Sequence, residues 1–475
     1  MVRTRAVWLV LAAAVLCVGV ALGLFGCGGG GGGTPSATPN PVSGVFPLHT
    51  EAGKRYLIDA SGRPFLLHGD SAWSLTARLS REDAELYLED RRQKGFNTVL
   101  VNILDDKSVP ANFYGALPFT QLLAGVVDYD FPNPSYFAHI DWVVRKAEEK
   151  GILVLLVPSY LGFDANTTGS QGWYHPEMET NGAAKMYGYG RFLGQRYASF
   201  PNVLWVSGGD FNPPDKMLVT EIVRGIQDFD TKLHTVHCAP EFSALDFWSS
   251  PVEPWLKVNN IYTYVDVPAK SLIEYQRAQA LPFFMMEGRY ENEPPDGTEQ
   301  RVRVQAYQAL LSGAAGQLMG NNPIWHFSGP GLYPVSPADW KQWLDSPAAV
   351  SMVHLHELLV SRAWWSLAPD ASNQFLTAGY ANSPDPYDRA VAALAGDSRL
   401  AVAYMPSARQ VTIDFSRMAG TTVNARWYDP SNGAFAAVSG SPFSTASGSR
   451  QINPPGGSNA SGSYSDWVLL LETAS

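Results

Sequence analysis

Two apolar periods divide the chain. From about residue 56 to 362, short apolar runs rich in β-branched and aromatic residues alternate with longer segments of helical spacing, whereas from about residue 373 only short alternating runs remain. After a hairpin over residues 56–65, the runs at 65–70, 96–102, 152–157, 202–208, 234–238, 258–264, 282–287 and 316–320 predict eight strands. Helical spacing over 80–94, 136–150, 183–199, 216–229, 271–280, 299–312 and 346–362 fills the intervals between and after them. Ser80 with Asp83 approximates a capping box, and Gly95 and Gly151 are helix stops. Eight such repeats in about 300 residues predict an α/β fold, a (β/α)8 barrel over residues 45–368. A doubly wound open sheet is the alternative, but no Gly-x-Gly-x-x-Gly turn supports it. The runs at 399–404, 411–415, 424–429 and 466–472, separated by turns such as Pro430-Ser-Asn-Gly433, predict an antiparallel β-sandwich over residues 373–475.

The first 27 residues read differently. Arg3 and Arg5 precede an apolar run from Ala6 to Phe25, which ends in Leu24-Phe25-Gly26-Cys27. This pattern predicts an export signal whose ending resembles a bacterial lipobox, so that Cys27 becomes a lipidated N-terminus anchoring the protein to a membrane of the bacterial cell envelope. The bulky Phe25 departs from that pattern, and an ordinary signal peptide or an uncleaved anchor is the alternative. Residues 28–44 begin with a glycine run lacking the strand–helix context of a phosphate loop and predict a flexible linker.

Composition narrows the partners. With 45% hydrophobic and 16% charged residues and a formal net charge of −10, the chain has globular character and no basic run to track phosphates, which argues against nucleic acid. Its 14 Trp and 21 Tyr suit sugar rings as well as cores. Once Cys17 leaves with the leader and Cys27 is lipidated, Cys238 is the only thiol left, so no intramolecular disulfide forms. His234 and His237 diverge on a strand, as do His354 and His356 on a helix, and neither pair has metal-ligand spacing. No metal or other cofactor is expected.

Two strands end in a carboxylate. The run at 202–208 leads through Gly208 and Gly209 to Asp210, and Phe283-Phe-Met-Met leads to Glu287-Gly288. An acid after a strand is often only a helix N-cap. Here Asp215 is the nearer cap for the helix after Asp210, and no helical period follows Glu287 until about Glu299. Acids at the tops of strands four and seven face each other across a barrel mouth, which fits the separation of about 5–5.5 Å used by retaining glycosidases. Asp210 then serves as general acid/base, which requires the site to raise an Asp pKa from about 3.9, and Glu287 as nucleophile. Asp70, Trp73, Asn102, Tyr264, Trp325 and His326 also follow barrel strands and are candidate sugar contacts, each with a structural role as the alternative. Tyr262 and Tyr264 share a strand face, and Tyr264, nearer the mouth, is the expected partner of Glu287.

The motifs His68-Gly-Asp-Ser-Ala-Trp73, Gly95-Phe-Asn97, Trp205-Val-Ser-Gly-Gly-Asp210 and Met286-Glu287 resemble those of the apiosidase-like glycoside hydrolases of family 140. That resemblance implies acid/base and nucleophile roles for Asp210 and Glu287, and cleavage of β-apiosyl linkages to galacturonic acid in pectin. Many barrel hydrolases of the wider clan carry Asn-Glu where this chain has Gly209-Asp210, which leaves the sugar open. The strand from Asn424 to Asp429 with its turn is similar to the collagen-binding-type sandwich often appended to such barrels. The competing reading is a non-catalytic carbohydrate-binding or adhesion surface lipoprotein. A third, an endo-acting mannanase or cellulase, requires an open cleft, whereas the long loops 105–130 and 162–179 suggest a partly closed pocket.

The leader yields the first expected outcome. A fatty-acid analogue labels the wild-type protein in cells and fails to label Cys27→Ala; equal labelling of both refutes lipidation at this residue.

Overall fold

The computed structural model describes residues 44–162, 173–248, 253–279, 281–381 and 383–473. The expected export signal, Cys27, the linker as far as residue 43 and much of the loop 162–179 lie outside the described residues. A small antiparallel pair, Leu57–Ile58 with Pro64–Phe65, leads into the barrel. Its strands are β1 Leu67–Ser71, β2 Thr98–Asn102, β3 Leu153–Val157, β4 Val203–Gly208, β5 His234–His237, β6 Asn259–Tyr262, β7 Phe283–Glu287 and β8 Gly316–Met319. All neighbours are parallel, and β8 pairs with β1. Between β5 and β6 the ring narrows to a bridge from His234 to Leu256 and bonds from the Lys257 and Val258 amides to the His234 carbonyl.

Both faces of this sheet are covered, which is why its strands read as nearly continuous apolar runs. Leu67, Leu100, Leu155, Leu204, Phe284, Met286 and Leu318 fill the barrel interior. Val99, Val101, Val154, Leu156 and Trp205 point outward into the helical layer. The helices are α1 Arg81–Gln93, α2 Pro134–Glu149, α3 His175–Tyr197, α4 Met217–Gln227, α5 Val267–Gln276, α6 Glu299–Leu311 and α7 Pro347–Val360. The Ser80 hydroxyl accepts from the Asp83 amide, as the capping pattern predicts.

Several segments differ from the sequence reading, among them a one-turn helix at Leu75–Arg78. α3 begins at His175 rather than 183, because its first turns precede a break at Gly182 (φ 75°) and only the part beyond it has an unbroken period. α5 begins at Val267 rather than 271, where Asp266 caps the Ala269 amide and Pro268 sits in the first turn. A short helix, Ala244–Trp248, lies between β5 and β6, too brief to show a period.

The C-terminal domain is an antiparallel sandwich. One sheet contains Leu367–Pro369, Val391–Ala395, Leu400–Met405, Trp467–Thr473, Thr422–Tyr428 and Phe435–Ala437; the other contains Leu376–Ala378, Val411–Asp414 and Ser449–Ile452. Strand Leu367–Pro369 lies N-terminal to residue 373 yet pairs with Val391–Ala395. Alternate residues such as Val423, Ala425, Trp427, Leu469 and Leu471 build the sandwich core. On the other face, Val402, Tyr404, Val468 and Leu470 join one cluster with Val302 and Leu310 of α6 and Met352 and Leu355 of α7.

α6 is therefore buried on several sides, and its polar groups find partners in the sandwich. Arg303 forms a bidentate pair with Asp466 (2.9 and 3.0 Å), both side chains fully buried. Tyr404 and Asn459 complete the carboxylate's hydrogen bonds at 2.8 and 2.7 Å. Gln308 donates to the Pro386 and Arg389 carbonyls. Removing one member of such a pair leaves the other charge buried and uncompensated, at a cost of about 3–5 kcal/mol. Asp466→Ala is expected to destabilise the full chain by about that amount in denaturant unfolding. A chain ending at Ala368 is expected to aggregate, because it exposes the shared cluster. A soluble truncated barrel with a cooperative transition contradicts this account.

Candidate active site

The turn that delivers Asp210 is set by neighbouring backbone. Gly208 has φ +87°, and a Cβ there would lie 2.3 Å from the His237 carbonyl oxygen of β5; a Cβ on Gly209 would lie 2.5 Å from the Leu161 amide nitrogen. Only glycines pass between these strands, and Asp210 emerges just beyond them. It caps no helix: Asp215 accepts the Met217 amide at the start of α4. Glu287 ends β7 and likewise caps nothing, since Thr298 caps α6. Its side chain retains 12% exposure.

A ring of inward side chains joins the two acids. His237 Nε2 lies 2.8 Å from Glu287 Oε2. A carboxylate can only accept, so the Nε2 hydrogen is donated to it. Burial opposes charge on His237, but the hydrogen bond to Glu287 and the charges of Glu287 and Asp210 outweigh it and hold the imidazole pKa above its ordinary value. The neighbouring Tyr262 ring lies 5.2 Å from His237, and its hydroxyl donates to Asp210 Oδ2 at 3.3 Å. Tyr264 meets that hydroxyl at 2.7 Å. Tyr264 is thus beside the acids as expected, but the bond to Glu287 comes from His237. Burial raises the Tyr160 phenol well above its ordinary pKa, and the charges of Asp210 and Glu287 add to the effect. Trp73 packs edge-on to Tyr160 and His237, with centroids at 5.4 and 5.6 Å, and its indole donates to Tyr290 across the mouth at 2.9 Å.

On the β7–β8 side, the Trp325 indole donates to Glu293 Oε1 at 2.9 Å. Burial and the charge of Glu287 push the Glu293 carboxyl up to about 7, against the opposing effects of Trp325 and Arg289. Arg289 lies over the Tyr264 ring at 4.6 Å and pairs with Asp296 at 3.3 Å.

Of the residues expected to contact sugar, Trp73, Tyr264 and Trp325 reach this ring. Asn102 lies buried on the inner face beside them, its backbone amide donating to the Trp73 carbonyl and its backbone carbonyl accepting from the Thr76 hydroxyl. Asp70 does not belong to the site. β1 turns it outward under α1, where Arg91 Nε is 3.0 Å and the Tyr87 hydroxyl 2.7 Å from Oδ2, with no exposed surface. His326 is also withdrawn: Nε2 bonds Asn322 Oδ1 at 2.7 Å, and Gly331 packs against the ring.

His237, Tyr160, Tyr290 and Glu293 are not among the expected site residues, and Tyr262 enters the sequence reading only through the face it shares with Tyr264. Strand alternation separates His234, which packs outward near Trp205 and Trp255, from the inward His237. The same alternation marks the last inward residue of β5 as a mouth residue. Glu293 and Tyr290 lie in a loop where no period operates.

Among the described residues, no three His, Cys, Asp or Glu side chains gather as a metal site, and no helix is long and apolar enough to cross a membrane. A cavity of about 360 Å³ lined by Arg55, Tyr275 and Trp364 shares no residue with the acid pair.

Residues 51–366 match the family model described as "Apiosidase-like, catalytic domain", and residues 378–472 match "Putative collagen-binding domain of a collagenase". No curated protein matches the chain. Among solved structures, a glycoside hydrolase family 5 protein from Bacteroides vulgatus is similar with 22% identity and a TM-score of 0.74, covering 90% of this chain and 92% of its own. A structure titled "Glycoside hydrolase" is similar with 24% identity and a TM-score of 0.74, over 90% and 97% of the two chains. At these identities the likeness establishes the barrel-plus-sandwich fold.

The placement of Asp70 is testable. Asp70→Asn strips Arg91 of its principal counterion and is expected to cost on the order of 3 kcal/mol in unfolding free energy. The folded fraction should keep wild-type KM; a raised KM without loss of stability returns Asp70 to the site.

Proposed function

This chain belongs to the apiosidase-like family of catalytic domains, and from that membership we propose that it is a retaining glycoside hydrolase with Asp210 as acid/base and Glu287 as nucleophile. One observation carries the reading: the acids ending β4 and β7 are tied to adjoining rings of one inward layer, Glu287 to His237 and Asp210 to Tyr262.

The chemistry follows from those bonds. Donation from His237 to one oxygen fixes the Glu287 carboxylate plane, leaving its other oxygen to attack the anomeric carbon. Asp210 protonates the departing oxygen as the glycosyl–Glu287 ester forms. Asp210, left as a carboxylate after protonating the leaving group, takes a proton from the water that attacks the same carbon and breaks the ester to Glu287. Two inversions give net retention. Trp73, Tyr160 and Trp325 supply aromatic surface for a sugar.

The substrate proposed is a complex glycan, with apiosyl linkages of pectin first among the candidates because of the family. A lipid anchor at Cys27 would hold the enzyme at the cell envelope, where such polymers arrive.

Screening against oligosaccharides from pectin, arabinogalactan and ulvan identifies the substrate. Glu287→Ala is expected to abolish turnover. Asp210→Ala is expected to lose about 10²–10⁴-fold and to recover with azide on a substrate with a good leaving group. An early NMR time course should show retained anomeric configuration; inverted product sinks the double displacement even if both acids are essential.

A further inference from the structure

The loop between β7 and α6 carries a third carboxyl that this mechanism does not use. Glu293 is clamped at both ends: its amide donates to the Tyr290 carbonyl at 3.3 Å and its own carbonyl accepts from Gly297 at 2.7 Å. Its carboxyl is held by the Trp325 indole. Arg289, whose charge acts on this carboxyl, is engaged with Asp296. The carboxyl is close enough for its charge to act on Tyr264, and it feels that of Glu287. A largely buried acid facing another carboxylate and fixed by a neutral donor opposes folding. Its place beside the nucleophile accounts for it better.

We propose that Glu293 contacts substrate, hydrogen-bonding hydroxyls of the sugar whose anomeric carbon meets Glu287 and restricting that position to a neutral sugar. The proposal rests on the assignment of Glu287 as nucleophile. With one oxygen committed to Trp325, the carboxyl presents the other to a hydroxyl. Titrating near neutrality, it both accepts and, when protonated, donates, which suits neighbouring hydroxyls of one ring. A uronic acid in the same position would bring a further carboxylate against Asp210, Glu287 and Glu293, with Arg289 as the nearby cation already paired.

The test uses the full chain and the glycan identified in the screen, together with analogues in which single hydroxyls of the transferred sugar are replaced by hydrogen. It adds the 4-nitrophenyl glycoside of that sugar and of its uronic acid counterpart. Glu293→Ala is expected to lose on the order of 10- to 100-fold in kcat/KM on the parent substrate, but little on the analogue lacking the contacted hydroxyl. Glu293→Gln, which still accepts from Trp325 and can donate, should lose less than Glu293→Ala on the neutral sugar and raise the uronide-to-neutral turnover ratio. If Glu293→Ala fails to fold, that ratio in Glu293→Gln decides. For Glu293→Ala, equal loss on every analogue or an unchanged parent rate overturns the assignment, as does an unchanged ratio for Glu293→Gln. Turnover that survives Glu287→Ala defeats the underlying mechanism; an inactive Glu287→Ala with indifferent Glu293 variants defeats this inference alone.

Discussion

A closed parallel sheet keeps water from its inward positions, so a polar group there must find its partner within the protein, and this constraint governs the molecule. Leu67, Leu100, Leu155, Leu204 and Phe284 fill the interior, and Asn260, beside Phe284, is buried there only with its amide donating to the Thr235 hydroxyl and the Val236 carbonyl at 2.9 and 2.8 Å. The inward layer changes character at the tops of the strands. His237 and Tyr262 stand where the apolar filling stops, His237 bonded through Nε2 to Glu287 and Tyr262 through its hydroxyl to Asp210. The acids are therefore held by bonds that the end of the barrel also needs. Positioning and stability share the same contacts on this side of the site.

That constraint also explains which features were legible. A strand buried on both faces leaves an apolar run, and each of the eight runs became a barrel strand. A carboxylate or glycine at the end of such a run interrupts a regular pattern, so Asp210 and Glu287 stand out. What sequence alone could not distinguish is the direction of a polar residue within the run. Asp70 and His237 both occupy strand ends, yet one points under α1 to Arg91 and the other into the mouth. Counting inward positions from the apolar residues before each acid resolves His237. It fails at Glu287, because β7 carries an extra residue between Met285 and Glu287 where β6 runs directly from Ile261 to Tyr262, so Glu287 turns inward straight after the inward Met286 and lies beside Tyr262. Glu293 and Tyr290 were illegible for another reason: their loop is shaped by Gly297, where a Cβ would come within 2.1 Å of the Tyr290 carbonyl oxygen, and by contacts distant in sequence.

The sandwich was legible as a domain but not as a partner of the barrel. Alternation shows that one face of its strands is apolar and leaves open whether the other meets water or protein. Here it meets α6 and α7, so Val468 and Leu470 are as buried as Leu469 and Leu471. The apolar run at 467–471 records a strand covered on both sides, as the barrel strands are.

The same helix that receives the sandwich also grips the loop beyond Glu287. Gln305 of α6 accepts the Arg289 amide and donates to the Arg289 carbonyl, at 3.0 and 2.8 Å, and a Cβ on Gly288 would come 2.7 Å from its oxygen. Two residues away, Arg303 is locked to Asp466. Arg301 pairs with Asp296 of that loop at 2.6 Å while lying over the ring of Tyr387 in the sandwich, 3.6 Å from its centroid. Asp296 in turn holds Arg289 against Tyr264. α6 cannot shift relative to the sandwich without disturbing contacts that place Arg289 and the segment bearing Glu293. The appended domain contributes no side chain to the acid pair, yet it fixes the helix from which one wall of the site is suspended.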